Sequence, residues 1–342
     1  MKFGIFDHLD NSGLPMQEFF ENRLKLAQVY ENIGIHAYHM AEHHATPLGM
    51  SPSPSVFISA LAQRTKTLRF GPLVYTLALY HPLRLADEIC MLDHMSGGRL
   101  QLGIGRGVSP IEIQLFGFDP QKAQAMYLEG YQVIKQSLTQ DTVNFEGEYY
   151  TFKDVPSLLK PLQKPMPPIW YGTSNPPSAT WAAGEGFNVV TNGLPTMVKE
   201  VTGRYRAEWT RLGRDPAQIP FMGTTRHIVI ADTDKEAMEI GRRAYSRWYD
   251  NFIYLWRKRN TKPLYTTYTE SFDEVVANGQ GIAGSPATVR SAMLKQAAET
   301  GINYFLLRLA FGDMTLAESS RSANLFNEHI KDALIEQYQK AA

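Results

Sequence analysis

The chain has 342 residues and is 44% hydrophobic and 11% aromatic, which is enough apolar material for one large core. Lys and Arg together number 34, as do Asp and Glu, so the zero net charge does not favour binding to nucleic acid or a membrane surface. The single cysteine, Cys90, excludes an internal disulfide. Without a signal-peptide pattern or a long uninterrupted apolar run, we expect a cytoplasmic protein with no membrane span.

Short apolar runs alternate along the chain with longer amphipathic segments, which is typical of parallel strands joined by helices. Eight runs predict strands, at residues 2–8, 36–43, 68–77, 100–106, 168–173, 188–192, 221–230 and 303–309. Helices are predicted at residues 15–33, 53–66, 82–95 and 120–139, and from residue 286 onwards.

Eight such units in one chain of this length favour a closed (β/α)8 barrel, or TIM barrel, forming a single domain over residues 1–342. Spacing alone leaves an open doubly wound sheet possible. However, the first strand is followed by Asn11-Ser12-Gly13 rather than by the glycine-rich turn of a dinucleotide-binding unit.

Two segments interrupt this alternation. Residues 143–152 place Glu-Gly between two β-prone runs, which predicts a β-hairpin insertion. Residues 257–282 are polar, include Tyr265 and Tyr268, and are too long for an ordinary connection. We therefore expect a long loop before the eighth strand, either lid-like or disordered.

Glu42-His43-His44 comes at the end of the second predicted strand, where parallel barrels place their active sites. Histidine is the side chain that exchanges protons most readily near neutral pH. Neighbouring residues of a strand point to opposite faces, so the two imidazoles are poorly placed to share a metal ion. The pattern leaves a catalytic and a structural histidine equally open.

Two further strand ends carry groups suited to a phosphate. Residues 103–107 read Gly-Ile-Gly-Arg-Gly, in which glycine permits close approach of a ligand and Arg106 can bind phosphate oxygens. Residues 171–175 are followed by a predicted helix, and backbone N–H groups at a helix start attract anions. Each signal alone is weak, because glycine-rich strand ends and capped helices often bind nothing.

The motifs taken in order resemble the luciferase-like flavin-dependent monooxygenase family, which includes the α subunit of bacterial luciferase. The similarity lies in Ala41–His44, His81–Arg84, Leu92–Arg99, Gly103–Gly107 and Trp181–Ala183. It implies a (β/α)8 barrel that binds reduced FMN (FMNH2) and O2 and oxygenates a small, mostly apolar organic substrate through a C4a-peroxyflavin. It also implies a separate flavin reductase and a homodimer or heterodimer.

The resemblance assigns residues to roles. His43 takes the place of the catalytic histidine, and Arg106 that of an arginine at the flavin phosphate. The other residues that the resemblance places at the flavin are Leu73, Val74, Gly105, Gly172, Thr173, Ser174, Ser178, Thr191 and Asn192. A second phosphate-side arginine of luciferase is replaced here by Gln124.

Two alternatives stay open within the same fold. Related barrels transfer hydride with the deazaflavin F420, although they usually carry an acidic residue where this chain has Arg106-Gly107. A non-catalytic partner subunit is the other alternative, and the presence of His43 and Arg106 argues against it.

Aromatic residues at helical spacing between residues 245 and 256 are typical of a core or subunit face, and they are also placed to wall a substrate pocket.

Overall fold

The computed structural model describes residues 1–173, 175–263 and 267–341. The strands within these residues are β1 (Lys2–Asp7), β2 (Ala37–Met40), β3 (Arg69–Pro72), β4 (Tyr75–Thr76), β5 (Leu102–Gly105), β6 (Thr142–Glu146), β7 (Thr151–Pro156), β8 (Ile169–Gly172), β9 (Asn188–Thr191), β10 (Met222–Ile230), β11 (Gly281–Gly284) and β12 (Tyr304–Arg308). The helices are α1 (Met16–Asn32), α2 (Pro54–Arg64), α3 (Pro82–Met95), α4 (Pro110–Leu115), α5 (Ala123–Thr139), α6 (Pro177–Glu185), α7 (Pro195–Arg211), α8 (Asp234–Lys258), α9 (Phe272–Ala277), α10 (Pro286–Thr300), α11 (Leu316–His329) and α12 (Lys331–Ala341).

The main sheet is parallel and curls into a barrel, in the order β3-β2-β1-β12-β10-β9-β8-β5-β4. Its two ends, β3 and β4, are separated in the chain only by Leu73 and Val74, so they make up one strand position. A bridge from Phe70 to Leu100 continues the pairing around the ring. The predicted (β/α)8 barrel is therefore confirmed, with eight strand positions.

Each of the eight predicted strands is present, although the third is divided. The predicted run 68–77 forms β3 and β4 with a cis peptide bond between Leu73 and Val74. All nine residues of β10 are buried, as expected for a strand covered on both faces. Inside the barrel, Phe6, Trp170 and Tyr304 belong to one apolar cluster that fills the space below the site.

The predicted hairpin is confirmed and extends further than the sequence indicated, because β6 and β7 pair antiparallel over residues 142–156.

The long loop expected at residues 257–282 is shorter than expected. Helix α8 continues to Lys258, Ser271 caps the short helix α9, and β11 adds a parallel strand beside β10. Tyr265, part of that expected loop, lies outside the described residues.

The helices cover the outside of the barrel and bury one apolar face each. Helix α1, for example, buries Phe19, Leu24, Leu26 and Tyr30 against the strands. In the part of the chain that the structure describes, no helix is both long and apolar enough to cross a membrane. The connections after the strands lie at the carboxyl end of the barrel, and the candidate site is built there.

Candidate active site

A cavity of about 450 Å³ opens at the carboxyl ends of the barrel strands. This size is within the range of small-molecule and cofactor pockets. The described residues that the sequence assigned to catalysis or flavin binding all line it: His43, Leu73, Val74, Gly105, Arg106, Gly172, Thr173, Ser178, Thr191 and Asn192. Ser174, which was also assigned there, lies outside the described residues.

The outer end of the cavity carries groups suited to an anion. Arg106 is exposed, and its only hydrogen bond within the described residues is a long one of 3.4 Å from Nε to the Gly107 carbonyl. Across the next strand end, the hydroxyls of Thr173 and Ser178 lie 2.6 Å apart at the start of α6. Because no carboxylate pairs with Arg106 in the described chain, its guanidinium is available to a ligand.

The middle of the cavity is apolar and tightly packed around Leu73 and Val74. A Cβ atom added at Gly105 would lie 2.7 Å from Cγ2 of Val74, closer than real Cβ contacts allow. Gly105 therefore brings β5 against this segment without a side chain between them. Thr191 and Val190 of β9 form the facing wall, and both are buried.

His43 is held in place by Glu112 of helix α4. The His43 Nδ1 and Glu112 Oε1 atoms are 3.1 Å apart, and Glu112 Oε2 accepts the backbone N–H of His44 at 2.7 Å. Ser109 caps α4 by accepting the backbone N–H of Glu112 at 3.3 Å, which sets the position of the carboxylate. A carboxylate can only accept, so Nδ1 carries the proton and Nε2 is left as the acceptor of neutral His43.

The charge state of Glu112 supports this tautomer. Burial by itself raises the pKa of the Glu112 carboxyl, but the charge and hydrogen bond of His43 and the N–H of His44 outweigh burial and lower it. Glu112 is thus an anion near neutral pH. No described residue hydrogen-bonds Nε2 of His43, so this atom is available to a bound molecule.

His44 belongs to a different pair. Its Nε2 lies 2.8 Å from Oε1 of Glu42, whose Oε2 accepts the backbone N–H of Thr76 at 3.0 Å. The two neighbouring imidazoles therefore contact different carboxylates. Among residues 1–173, 175–263 and 267–341, no cluster of three potential metal ligands is found.

A family model for luciferase-like monooxygenases matches residues 1–304 of this chain. The chain belongs to the luciferase-like monooxygenase family.

Relatives within the family extend over most of the chain. Protein y4wF of Sinorhizobium fredii is 40% identical over 332 residues, 97% of each chain. The oxygenase component of flavin-dependent trigonelline monooxygenase from Acinetobacter baylyi is 28% identical over 264 residues, 73% of this chain and 72% of that protein. The crystal structure of monooxygenase RslO1 from Streptomyces bottropensis matches with a TM-score of 0.86 and 28% identity, covering 97% of this chain and 99% of that one.

In this luciferase-like monooxygenase, the side of the cavity opposite Arg106 is aromatic. The rings of His8 and His43 stack with centroids 5.8 Å apart, and Trp248 Nε1 donates to His8 Nδ1 at 3.3 Å. Burial, together with the positive charge of Arg308, lowers the pKa of His8 well below its ordinary value. His8 is therefore a neutral ring that supports His43.

The aromatic run of residues 245–256 serves both purposes considered from the sequence. Tyr245 and Trp248 are fully buried in a core cluster, whereas Phe252, Leu255 and Trp256 line the cavity. Helix α8 therefore packs on the barrel through one part of its apolar face and walls the site with the next turns.

Glu112 and Arg308, two polar residues of the luciferase-like site, were not predicted from the sequence. Glu112 contacts a histidine 69 residues away in the chain, and only the Ser109-x-x-Glu112 spacing of a helix start marks it. Arg308 ends β12 and lines the cavity, and its sole signal is a charged residue in an otherwise apolar strand.

Proposed function

We propose that this chain is the oxygenase component of a two-component monooxygenase, which uses FMNH2 and O2 to oxygenate a small organic substrate. A separate reductase supplies FMNH2. The observation that carries the proposal is that His43, with Nδ1 held by Glu112, shares its cavity with Arg106, which has no ion pair among the described residues. The name of the trigonelline monooxygenase relative, an oxygenase component, supports the two-component arrangement.

The cavity fits a flavin mononucleotide. We assign the phosphate to Arg106, Thr173 and Ser178, because a guanidinium and two hydroxyls are good partners for phosphate oxygens. We assign the ring system to the apolar surface of Leu73 and Val74, where a planar heterocycle can lie flat. The remaining assigned residues, Gly105, Gly172, Thr191 and Asn192, line the space between these two ends.

When bound, the reduced flavin would supply the two electrons that activate O2, one oxygen atom of which goes to the substrate and the other to water. The protein's own contribution is proton control at Nε2 of His43. Because Glu112 holds Nδ1, His43 can accept a proton at Nε2 and return it to an oxygen atom held beside it. The neutral His8 ring keeps the imidazole in this orientation.

The same walls exclude water, which would otherwise quench an activated oxygen species. Phe252, Leu255 and Trp256 cover one side, and Leu73 and Val190 cover the other. A cavity with these apolar walls strengthens the electrostatic interactions within it and suppresses hydrolysis.

We also propose a dimer. Val56 of α2 and Met91 and Met95 of α3 are 71%, 54% and 49% exposed, although they are apolar and lie on packed neighbouring helices. Dimerisation through α2 and α3 would cover these exposed apolar side chains.

The proposal is tested by titrating the purified protein with FMN and with F420, and by supplying FMNH2 from an unrelated flavin reductase. We expect FMN to bind and F420 to bind weakly. We expect His43→Ala to keep FMN affinity but to lose oxygen transfer to products across a panel of aldehydes, ketones and aromatic compounds. Preferential binding of F420 would replace the proposal with hydride transfer, and absence of flavin binding would favour a partner subunit. Unchanged turnover in His43→Ala would remove the role of His43.

A further inference from the structure

Arg308 is a buried cation that faces the cavity. It lies at the end of β12, is 2% exposed and lines the cavity wall. In the barrel order β12 is four positions from β5, the strand that ends at Gly105, so Arg308 and Arg106 come from opposite sides of the barrel. None of the functions proposed above uses Arg308.

The hydrogen bonds of Arg308 are incomplete. Its Nη1 lies 3.3 Å from Nε2 of His227, and its Nη2 donates to the hydroxyl of Thr225 at 3.1 Å. Its Nε is buried and has no partner among the described residues. A guanidinium carries five N–H donors, so most of the donor capacity of Arg308 is unused.

No carboxylate neutralises this charge within the described chain, because no ion pair of 4.0 Å or less includes Arg308. Arg23, which is buried to a similar degree, instead pairs with Asp7 at 3.3 Å. Buried arginines are ordinarily paired in this way, since an uncompensated buried charge is strongly unfavourable.

The surroundings of Arg308 offer it rings rather than anions. Its guanidinium lies 4.9 Å from the ring centre of Phe6, 5.7 Å from that of Trp248 and 5.5 Å from that of Tyr268. Burial and the charge of Arg308 together lower the pKa of His227 well below its ordinary value, so this neighbour is neutral. The rings hold the guanidinium but do not cancel its charge.

A second buried guanidinium adds to the positive potential. Arg226 is fully buried on β10, where its Nε donates to Gln296 at 2.9 Å and its Nη1 donates to the Thr225 carbonyl at 2.8 Å. It does not line the cavity. Arg226 therefore cannot bind a ligand there itself, but it makes the Arg308 end of the cavity more attractive to an anion.

We propose that Arg308 binds a carboxylate group of the substrate, so that the enzyme oxygenates an organic acid with an apolar body. This inference rests on the proposed function and narrows its substrate class. The carboxylate would occupy the unused donors of Arg308, and the apolar body would extend along Phe6 and His8, which line the cavity, toward His43. These rings form a continuous series, because the centroid of the His8 ring lies 5.0 Å from that of Phe6 and 5.8 Å from that of His43.

The test is calorimetric titration of the protein with benzoate, phenylacetate and hexanoate, each compared with its neutral amide. We expect at least one acid to bind about 10- to 100-fold more tightly than its amide, as a charge-assisted hydrogen bond predicts. We expect Arg308→Met to abolish that preference and Arg308→Lys to retain part of it. A cooperative thermal transition shows that each variant is folded.

Arg106→Met is the matched control, because it removes a guanidinium from the other end of the same cavity. We expect it to weaken FMN binding and leave carboxylate binding intact, whereas Arg308→Met does the reverse. Equal binding of acids and amides by the wild-type protein, or carboxylate binding that depends on Arg106 alone, would overturn the inference.

The other source of negative charge is the reduced flavin itself. If Arg308→Met weakened the binding of FMNH2 while carboxylates bound as before, Arg308 would serve the flavin and the inference would be wrong. Loss of the proposed function is a separate result, since a wild-type protein that binds no flavin can still be titrated with the acids and amides.

Discussion

Glu112→Gln isolates the role of the His43–Glu112 contact because it preserves the shape of the side chain and removes its charge. The carboxylate now accepts two N–H groups, from His43 Nδ1 at 3.1 Å and from the His44 backbone at 2.7 Å. An amide has one accepting oxygen and one NH2 group. If its oxygen keeps the His44 N–H, its NH2 group faces Nδ1 of His43, and the proton of the imidazole moves to Nε2.

With the proton on Nε2, His43 presents no proton-accepting nitrogen to the cavity. Proton transfer by a positioned side chain contributes about 10²- to 10⁴-fold to a rate, which corresponds to about 3 to 5 kcal/mol of barrier. We therefore expect the rate of oxygen transfer by Glu112→Gln to be about 10²- to 10⁴-fold lower than that of the wild-type protein. FMN affinity should change little, because Glu112 lies at the His43 end of the cavity rather than near Arg106.

Two assays measure this prediction. The first supplies FMNH2 and O2 together with a substrate identified in the panel above and measures the rate at which the oxygenated product forms. The second uses ¹⁵N NMR to determine which nitrogen of His43 carries the proton. The matched control is Glu328→Gln, which changes an exposed Glu–His pair with a 3.8 Å separation and should alter neither measurement. A rate within twofold of wild type together with an unchanged His43 tautomer would refute the reasoning.

Three further predictions concern the buried Asp10, the cavity residue Arg106 and the exposed methionines of α3. Burial raises the pKa of Asp10 to about 7, so the folded state binds this proton more tightly than the unfolded state. The free energy of unfolding should therefore fall by at most about 4 kcal/mol as pH rises from about 4 to about 7. Asp10→Asn should remove that loss and melt at a higher temperature than wild type at about pH 8 but not at about pH 4, and parallel melting profiles would contradict it. Arg106→Met should weaken the binding of FMN about 10- to 100-fold but not that of riboflavin, which lacks the phosphate, and equal losses for both would place Arg106 elsewhere. Met91→Glu combined with Met95→Glu should convert a dimer into monomers in light-scattering measurements, whereas an unchanged mass would exclude this face as the interface.

Much of the barrel could be predicted because its signals are local. A strand covered on both faces needs a continuous apolar run, and a helix on the outside needs one apolar stripe, so each element is marked within its own few residues. β10 and α3 were located in this way to within a residue or two. β11 was not, because Gly281-Ile-Ala-Gly284 is too short and too rich in glycine to indicate a strand without its partner β10.

The residues of the candidate site could likewise be predicted from the sequence only in part. His43 and Arg106 could be chosen from the sequence, because each stands at a strand end with neighbours that match a family pattern. Glu112 and Arg308 could not be chosen, since the importance of each depends on what lies beside it in space. A carboxylate becomes a partner for His43 only when α4 folds over the barrel mouth, and this contact joins residues 69 positions apart.

The sequence by itself determined the order of the eight barrel strands, a preference for a parallel barrel over an open sheet and the strand ends that carry chemistry, because periodicity and strand-end placement are properties of short segments. Only the tertiary structure decided where the barrel closes, which nitrogen of His43 faces the cavity and that the Arg308 charge has no carboxylate partner in the described chain. Those three features depend on distances between residues far apart in the chain, and such distances are set by packing rather than by local pattern.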